Sequence, residues 1–147
     1  DPGKRGNLAT VTNALGHVTR ITAYDGNGRP LTLIDANDRV TSFTYDPRGR
    51  LTGQTVGSEH TGYTYDPAGQ LTRITQPDGS FLAFTYDAAH RLTDITDNLN
   101  NTVHYSLDAA GNRRSETVKD PGGTLTRQIT RVYDALSRLQ TVTGARQ

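Results

Sequence analysis

Five tyrosines are followed directly by aspartate, at Tyr24-Asp25, Tyr45-Asp46, Tyr65-Asp66, Tyr86-Asp87 and Tyr133-Asp134. The chain holds only 7 Tyr and 13 Asp in 147 residues, so chance would supply fewer than one such pair. Successive pairs from Tyr24 are 21, 20 and 21 residues apart. Leu107-Asp108 falls 21 residues after Tyr86 and reads as a degenerate copy; 26 residues then lead to Tyr133. A fixed period of this length is the mark of a repeat architecture, in which each copy is one small supersecondary unit.

A turn follows each aspartate. Asp46-Pro47-Arg48-Gly49 and Asp66-Pro67-Ala68-Gly69 place Asp first, Pro second and Gly fourth, the order of a type I turn. Asp bonds the backbone two residues on, Pro pre-sets its φ, and Gly takes the left-handed conformation that closes a three-residue hairpin through a bulge. Gly28 and Gly111 hold the same place after Asp25 and Asp108. After Asp87 and Asp134 the fourth residue is His90 or Ser137, so these two turns are expected to cost more or to use another geometry. Gly69→Val is accordingly expected to cost more than Gly57→Val, because Gly69 needs the left-handed backbone.

Strands flank the turns. Thr41-Ser42-Phe43-Thr44-Tyr45 alternates, with Phe43 and Tyr45 on one face; Tyr63 with Tyr65, Phe84 with Tyr86, and Val103, Tyr105 and Leu107 repeat it. In the returning strands the apolar residues sit three apart, as in Leu71 and Ile74. Either a bulge shifts the register or both faces carry apolar contacts. Asp35-Ala36-Asn37-Asp38, Pro77-Asp78-Gly79-Ser80 and Asp97-Asn98-Leu99-Asn100-Asn101 join one hairpin to the next. The longer segment Lys119–Gly123 is expected to take up most of the 26-residue spacing. Tyr45, Tyr65 and Tyr86 should form an aromatic ladder with Phe43, Tyr63 and Phe84, and Tyr65→Ala should cost about 3 kcal/mol or more, as large-to-small core changes do. The fold class is therefore all-β: tandem antiparallel β-hairpins in an open, curved sheet.

Composition agrees. Hydrophobic residues are 33% of the chain and Cys, Met and Trp are absent, whereas Thr numbers 23. Thr favours strands and tolerates a wet face. The net charge of +1 is spread without a basic stripe, so the footprint of a nucleic-acid binder is missing. Apolar runs of three or four residues imply no membrane insertion.

The pattern Tyr-Asp-x-x-Gly-x-Leu-Thr, as in Tyr65-Asp66-Pro67-Ala68-Gly69-Gln70-Leu71-Thr72, resembles the Rhs or YD repeat. Gly6-Asn7-Leu8 resembles the tail of one more copy. The resemblance covers essentially the whole chain. It implies a sheet that is a segment of a spiralling β-shell, of the kind found in bacterial Rhs polymorphic toxins, the B and C components of insecticidal toxin complexes, wall-associated proteins and teneurins. Residues 1–147 would then be a single array of about six YD repeats, a fragment of a longer shell with no toxin domain present. The implied function is a non-catalytic wall segment that helps encapsulate a C-terminal toxin domain in the full-length protein. Its partners would be the rest of the shell polypeptide and that enclosed toxin, and its location secreted or cell-surface, exported from a bacterium. The alternatives are an extracellular adhesion or carbohydrate-binding module and a filament that self-associates edge to edge.

Length limits what the chain does alone. About 12 strands at ~4.8 Å give a wall about 58 Å across. A cargo of ~100 residues is roughly 34 Å in diameter and needs roughly 30 strands to encircle it. No catalytic, metal or cofactor site is expected. His17, His60, His90 and His104 have no ligand-like spacing. The Asp-rich loops at Asp35 and Asp97 lack the alternating ligands and distal Glu of a calcium loop. A row of identical Asp residues suits turn caps better than acid–base work, which needs two carboxylates in different environments. Glu59 and Glu116, the only glutamates, have no partner evident from sequence. The candidate residues are structural: Tyr24, Asp25, Gly28, Tyr45, Asp46, Gly49, Tyr65, Asp66, Gly69, Tyr86, Asp87, Asp108, Gly111, Tyr133 and Asp134.

Overall fold

The computed structural model describes residues 6–146, with side chains as far as 144. Two compact units divide the chain, one running through Tyr63 and the other starting at Thr64. The first holds β1 (Thr10–Thr12), β2 (Val18–Tyr24), β3 (Pro30–Ile34), β4 (Val40–Tyr45), β5 (Leu51–Val56) and most of β6 (Glu59–Tyr65). The second holds β7 (Leu71–Thr75), β8 (Phe81–Tyr86), β9 (Leu92–Asp97), β10 (Thr102–Leu107), β11 (Arg113–Lys119), β12 (Leu125–Tyr133) and β13 (Leu139–Arg146). In each unit every strand is antiparallel to its chain neighbours, in chain order. β1 and β13 each have one neighbour, so neither sheet closes on itself. There is no helix among the described residues. The all-β, open-sheet reading of the sequence holds.

The same turn recurs along the chain. At eleven places among the described residues, the first turn residue donates its N–H to the carbonyl four residues on, and accepts from the N–H three residues on, all at 2.8–3.1 Å. The fourth residue always has positive φ, from 58° at Ser137 to 98° at Gly69. This is a type I turn closed by a bulge at a left-handed residue. The turns at Asn13, Asp35, Gln76, Asp97 and Asp120 share it with the Tyr-Asp turns. His90 (φ 63°) and Ser137 (φ 58°) also adopt it, so of the two alternatives another geometry falls away and the costlier turn is left: the capping aspartate and the sheet over-determine the backbone and hold a non-glycine residue in a strained well. Ser137→Gly is therefore expected to stabilise the second unit by about 0.5–1 kcal/mol, the relieved strain less the entropy that Gly adds to the unfolded chain. Chemical denaturation measures it; an unchanged or lowered midpoint would contradict the strain.

Two further sequence expectations change. Gly57 too is left-handed, with φ 64°, so the basis for ranking Gly57→Val below Gly69→Val is gone. Gly57 opens the two-residue β5–β6 loop between the paired residues Val56 and Glu59, and this tighter connection accounts for the single 20-residue spacing. The 26-residue spacing comes from strands rather than a loop. The Asp120 turn has the standard form, whereas β11 and β12 are 7 and 9 residues long against 6 each for β9 and β10.

Bulges resolve the three-residue apolar spacing. Tyr86 pairs with Leu92 but Thr85 pairs with Asp94, leaving Thr93 as the extra residue. Thr52 and Thr126 are extra in the same way. An added residue returns the following side chains to the face they would otherwise leave. Leu92, opposite Tyr86, and Ile95, opposite Phe84, therefore share one face. Thr93 Oγ1 donates to the Thr85 carbonyl at 3.2 Å, Thr126 Oγ1 to that of Val118 at 3.1 Å, and the Thr44 and Thr52 hydroxyls lie 3.1 Å apart.

Packing is that of a single layer. Strand β4 alternates exposed and half-buried residues, with Thr41, Phe43 and Tyr45 half-buried as the sequence implied. In the second unit, Phe84, Ile95, Val103 and Val118 stand in a row across β8–β11, with Thr85, Asp94, His104 and Thr117 behind them on the other face. Yet no hydrophobic side chain is fully buried among the described residues. A stable domain ordinarily closes two layers over a core; each unit here has one. Arginines lie over three of the rings: Arg29 is 4.8 Å from the Tyr45 ring, Arg73 3.6 Å from Phe81 and Arg113 3.8 Å from Tyr105.

Candidate functional site

The Tyr-Asp motif forms a seam of turns and tyrosines along one edge of each unit. Its aspartates work through both carboxylate oxygens. Asp87 Oδ1 accepts from the N–H groups of Ala89 and Arg91, each at 2.9 Å, while Oδ2 accepts from Arg91 Nε at 2.8 Å. Asp25 and Asp134 repeat this with Arg29 and Arg138. In Asp46, Arg50 supplies both its N–H and its Nε. At Asp97 and Asp108 the side-chain amides of Asn101 and Asn112 replace the guanidinium. Asp66 Oδ1 accepts from Gln70 N–H at 2.8 Å. A carboxylate satisfied by several donors favours its ionised form. Backbone hydrogen bonds from Arg29, Arg50, Arg91 and Arg138, first among the causes, hold Asp25, Asp46, Asp87 and Asp134 below the ordinary carboxylate range. For Asp97 and Asp108 the Asn101 and Asn112 side-chain amides are the first cause of the same lowering. Surface ion pairs alone contribute little, so the capping bonds matter more than the charges. Because the folded pKa values lie below the unfolded ones, the stabilisation is complete above about pH 4 and is lost as pH falls through the depressed folded values. Thermal unfolding scanned from pH 7 to 2 should give a flat melting temperature down to about pH 4, then a steep fall. A melting temperature that rose on acidification would contradict this.

The tyrosines tie one hairpin to the one before it. Tyr45 donates to the carbonyl of Pro30 at 2.9 Å, Tyr86 to Leu71 at 2.8 Å and Tyr133 to Arg113 at 3.2 Å, and Tyr24 donates to Leu8. Pro30 and Arg113 are the residues paired with Tyr24 and Leu107. Tyr45, Tyr86 and Tyr133 thus each grip the first residue of the previous return strand, β3, β7 and β11. The residue after the left-handed position adds a second link. Gln70 Nε2 donates to the His90 carbonyl at 3.1 Å, Arg91 Nη1 to the Asp108 carbonyl at 2.8 Å, and Asn112 Nδ2 to Ser137 Oγ at 3.0 Å. In the first unit the Arg29 guanidinium lies against Gly49, where a Cβ would stand 2.5 Å from Nη1.

Sequence reasoning located the Tyr, Asp and Gly positions on these turns and missed their partners. The missing signal was the fifth turn residue, repeatedly Arg, Gln or Asn. Glu59 and Glu116 do have partners: Glu59 meets Arg39 at 3.3 Å, and Glu116 meets Arg113, Arg127 and Arg131 at 3.4–3.9 Å. The described residues contain no cluster of His, Cys, Asp and Glu fit for a metal. The histidines are dispersed: His60 Nδ1 lies 2.9 Å from Thr55 Oγ1, and His104 Nδ1 2.6 Å from Asp94 Oδ1.

The RHS repeat profile matches residues 24–61, 56–81, 65–100 and 86–125. The chain belongs to the RHS repeat family. Its matched segments each begin at or near a Tyr-Asp corner or the strand leading from one, so the RHS period is the hairpin period of the sheet. No curated protein matches this RHS chain in sequence. By structure it is similar to the TcdB2-TccC3-Cdc42 crystal structure (TM-score 0.75, 23% identity, 86% of this chain and 7% of that one). TcdB2-TccC3 is similar to the same degree (TM-score 0.74, 23% identity, 86% and 7%). The Photorhabdus luminescens Tc holotoxin pore follows (TM-score 0.61, 18% identity, 88% and 9%). The RHS chain thus spans less than a tenth of the length of these neighbours, and at such identities the likeness is one of fold.

Proposed function

We propose that this RHS chain is a non-catalytic wall segment of a shell which, in the whole polypeptide, encapsulates a C-terminal toxin domain and is exported with it. The observation that carries the reading is the seam: tyrosine–carbonyl bonds fix one hairpin to its predecessor, as Tyr45 is fixed to Pro30, Tyr86 to Leu71 and Tyr133 to Arg113, so the repeat propagates a sheet. Single-layer packing with no fully buried hydrophobic side chain among the described residues supports it, because such a wall is completed by what lies beyond it. The similarity to toxin-complex structures, of which the chain matches 7%, gives the context of a much larger assembly. The partners are then the adjoining wall and the enclosed domain. The test is limited proteolysis of the full-length gene product. The domain downstream of the repeats should resist trypsin while the wall is intact and become sensitive when Tyr86 and Tyr133 are both replaced by Ala. Equal sensitivity before and after the substitutions would overturn encapsulation.

A further inference from the structure

The row of apolar residues across the second unit is interrupted by charge. Glu116 on β11 pairs with Tyr105 on β10 and with Ile129 on β12, so its carboxylate stands on the same face as the aromatic ring. Arg127 and Arg131 flank Ile129 at alternate positions of β12 and share that face, and Arg113, opposite Leu107, stacks 3.8 Å from Tyr105. Three guanidiniums therefore surround one carboxylate, leaving a formal excess of two positive charges within the cluster.

Glu116 does not satisfy these cations. Its oxygens lie 3.4 Å from Arg113, 3.7 Å from Arg127 and 3.9 Å from Arg131; the two longer distances exceed hydrogen-bonding range. A guanidinium presents five N–H donors in a rigid fork. Arg131 is 21% exposed, and its Nη1 is buried with no hydrogen-bond partner. A buried donor left unpaired is costly and calls for an explanation. Were the cluster only an internal ion-pair network, the carboxylate and the Arg131 fork would be expected to meet at bidentate distance.

We propose that Arg113, Arg127 and Arg131 form a docking site for the carboxylate of an acidic polypeptide segment lying on the aromatic face, with Glu116 holding the fork open and competing for it. Charge complementarity selects the carboxylate, and the flanking Tyr105 and Ile129 select apolar neighbours on either side of it. The inference goes beyond the wall reading and does not require encapsulation, since it concerns one surface of this chain and any polypeptide of that chemistry.

The probe is the blocked tripeptide acetyl-Leu-Glu-Phe-amide, titrated into the chain by calorimetry, with its Gln counterpart and inorganic phosphate at equal ionic strength as the other arms. The Glu peptide should bind and the Gln peptide should bind about ten-fold more weakly or not at all, the effect of one charge-assisted hydrogen bond. R131Q should weaken the Glu peptide by a similar factor. R127Q, at a more exposed residue, is the second variant should R131Q fail to fold. E116Q should tighten binding, because it removes the competing carboxylate and leaves the three guanidiniums uncompensated. A purely structural Glu116 would instead give unchanged or lost binding in E116Q. That result, equal binding of the Gln peptide, phosphate binding as tightly as the Glu peptide, or no binding of the Glu peptide would each overturn the proposal.

Discussion

Gly111→Val is expected to destabilise the second unit by about 2–3 kcal/mol, while Gly111→Asn costs less than about 1 kcal/mol. Gly111 has φ +88° at the fourth position of the Asp108 turn, where a β-branched side chain collides with its own backbone. Asn tolerates that region through local hydrogen bonding, and Asn100 already occupies the equivalent place in the Asp97 turn at φ 67°. Space is not the obstacle, since a Cβ at Gly111 would meet only Arg91 atoms at 3.9–4.0 Å. The contrast between the two variants therefore isolates backbone conformation. Urea unfolding with unchanged slope reads it; equal losses for Val and Asn would show that sterics at the Arg91 contact, not φ, decide the position.

Tyr86→Ala is expected to cost about 2–3 kcal/mol and Tyr86→Phe about 1 kcal/mol. The hydroxyl donates to the Leu71 carbonyl at 2.8 Å, and Phe would leave that acceptor unpaired. Burial, followed by the Asp66 charge, raises the Tyr86 phenol above its ordinary value, which keeps the donor protonated at all working pH. The ring is only half-buried. This tempers the sequence expectation that losing such a tyrosine costs what a core residue costs, for there is no closed core among the described residues to leave empty. If Tyr86→Phe proved as damaging as Tyr86→Ala, the hydroxyl bond would dominate the ring; if it were neutral, the seam would not contribute to stability.

Much of this fold was legible because each element is specified locally. Asp followed three residues later by Gly fixes a turn by its own chemistry, and alternation around Phe43 and Tyr45 fixes a face. What stayed hidden depends on neighbours. The sequence leaves Leu92 and Ile95 three apart without saying which strand accommodates the extra residue; the pairing of Thr85 with Asp94 assigns it to Thr93. His90 and Ser137 do not read as left-handed because their propensity opposes it, and only the capped turn around them overrides that. The tyrosine–carbonyl link escapes a reading of one repeat at a time, since its acceptor lies 15 to 20 residues back. The Glu116 cluster was invisible for a similar reason: Arg113, Arg127 and Arg131 converge only once β11 and β12 are in register.

The claim that every Tyr-Asp corner is a closed, capped turn is tested most directly by amide hydrogen exchange resolved by residue. The N–H groups of Asp25, Asp46, Asp66, Asp87 and Asp134 close their turns onto carbonyls four residues on, and should exchange slowly and to similar degrees, including in the turns that carry His90 and Ser137. Exchange at these five amides as fast as in an unstructured peptide, with protection confined to the strands, would contradict it.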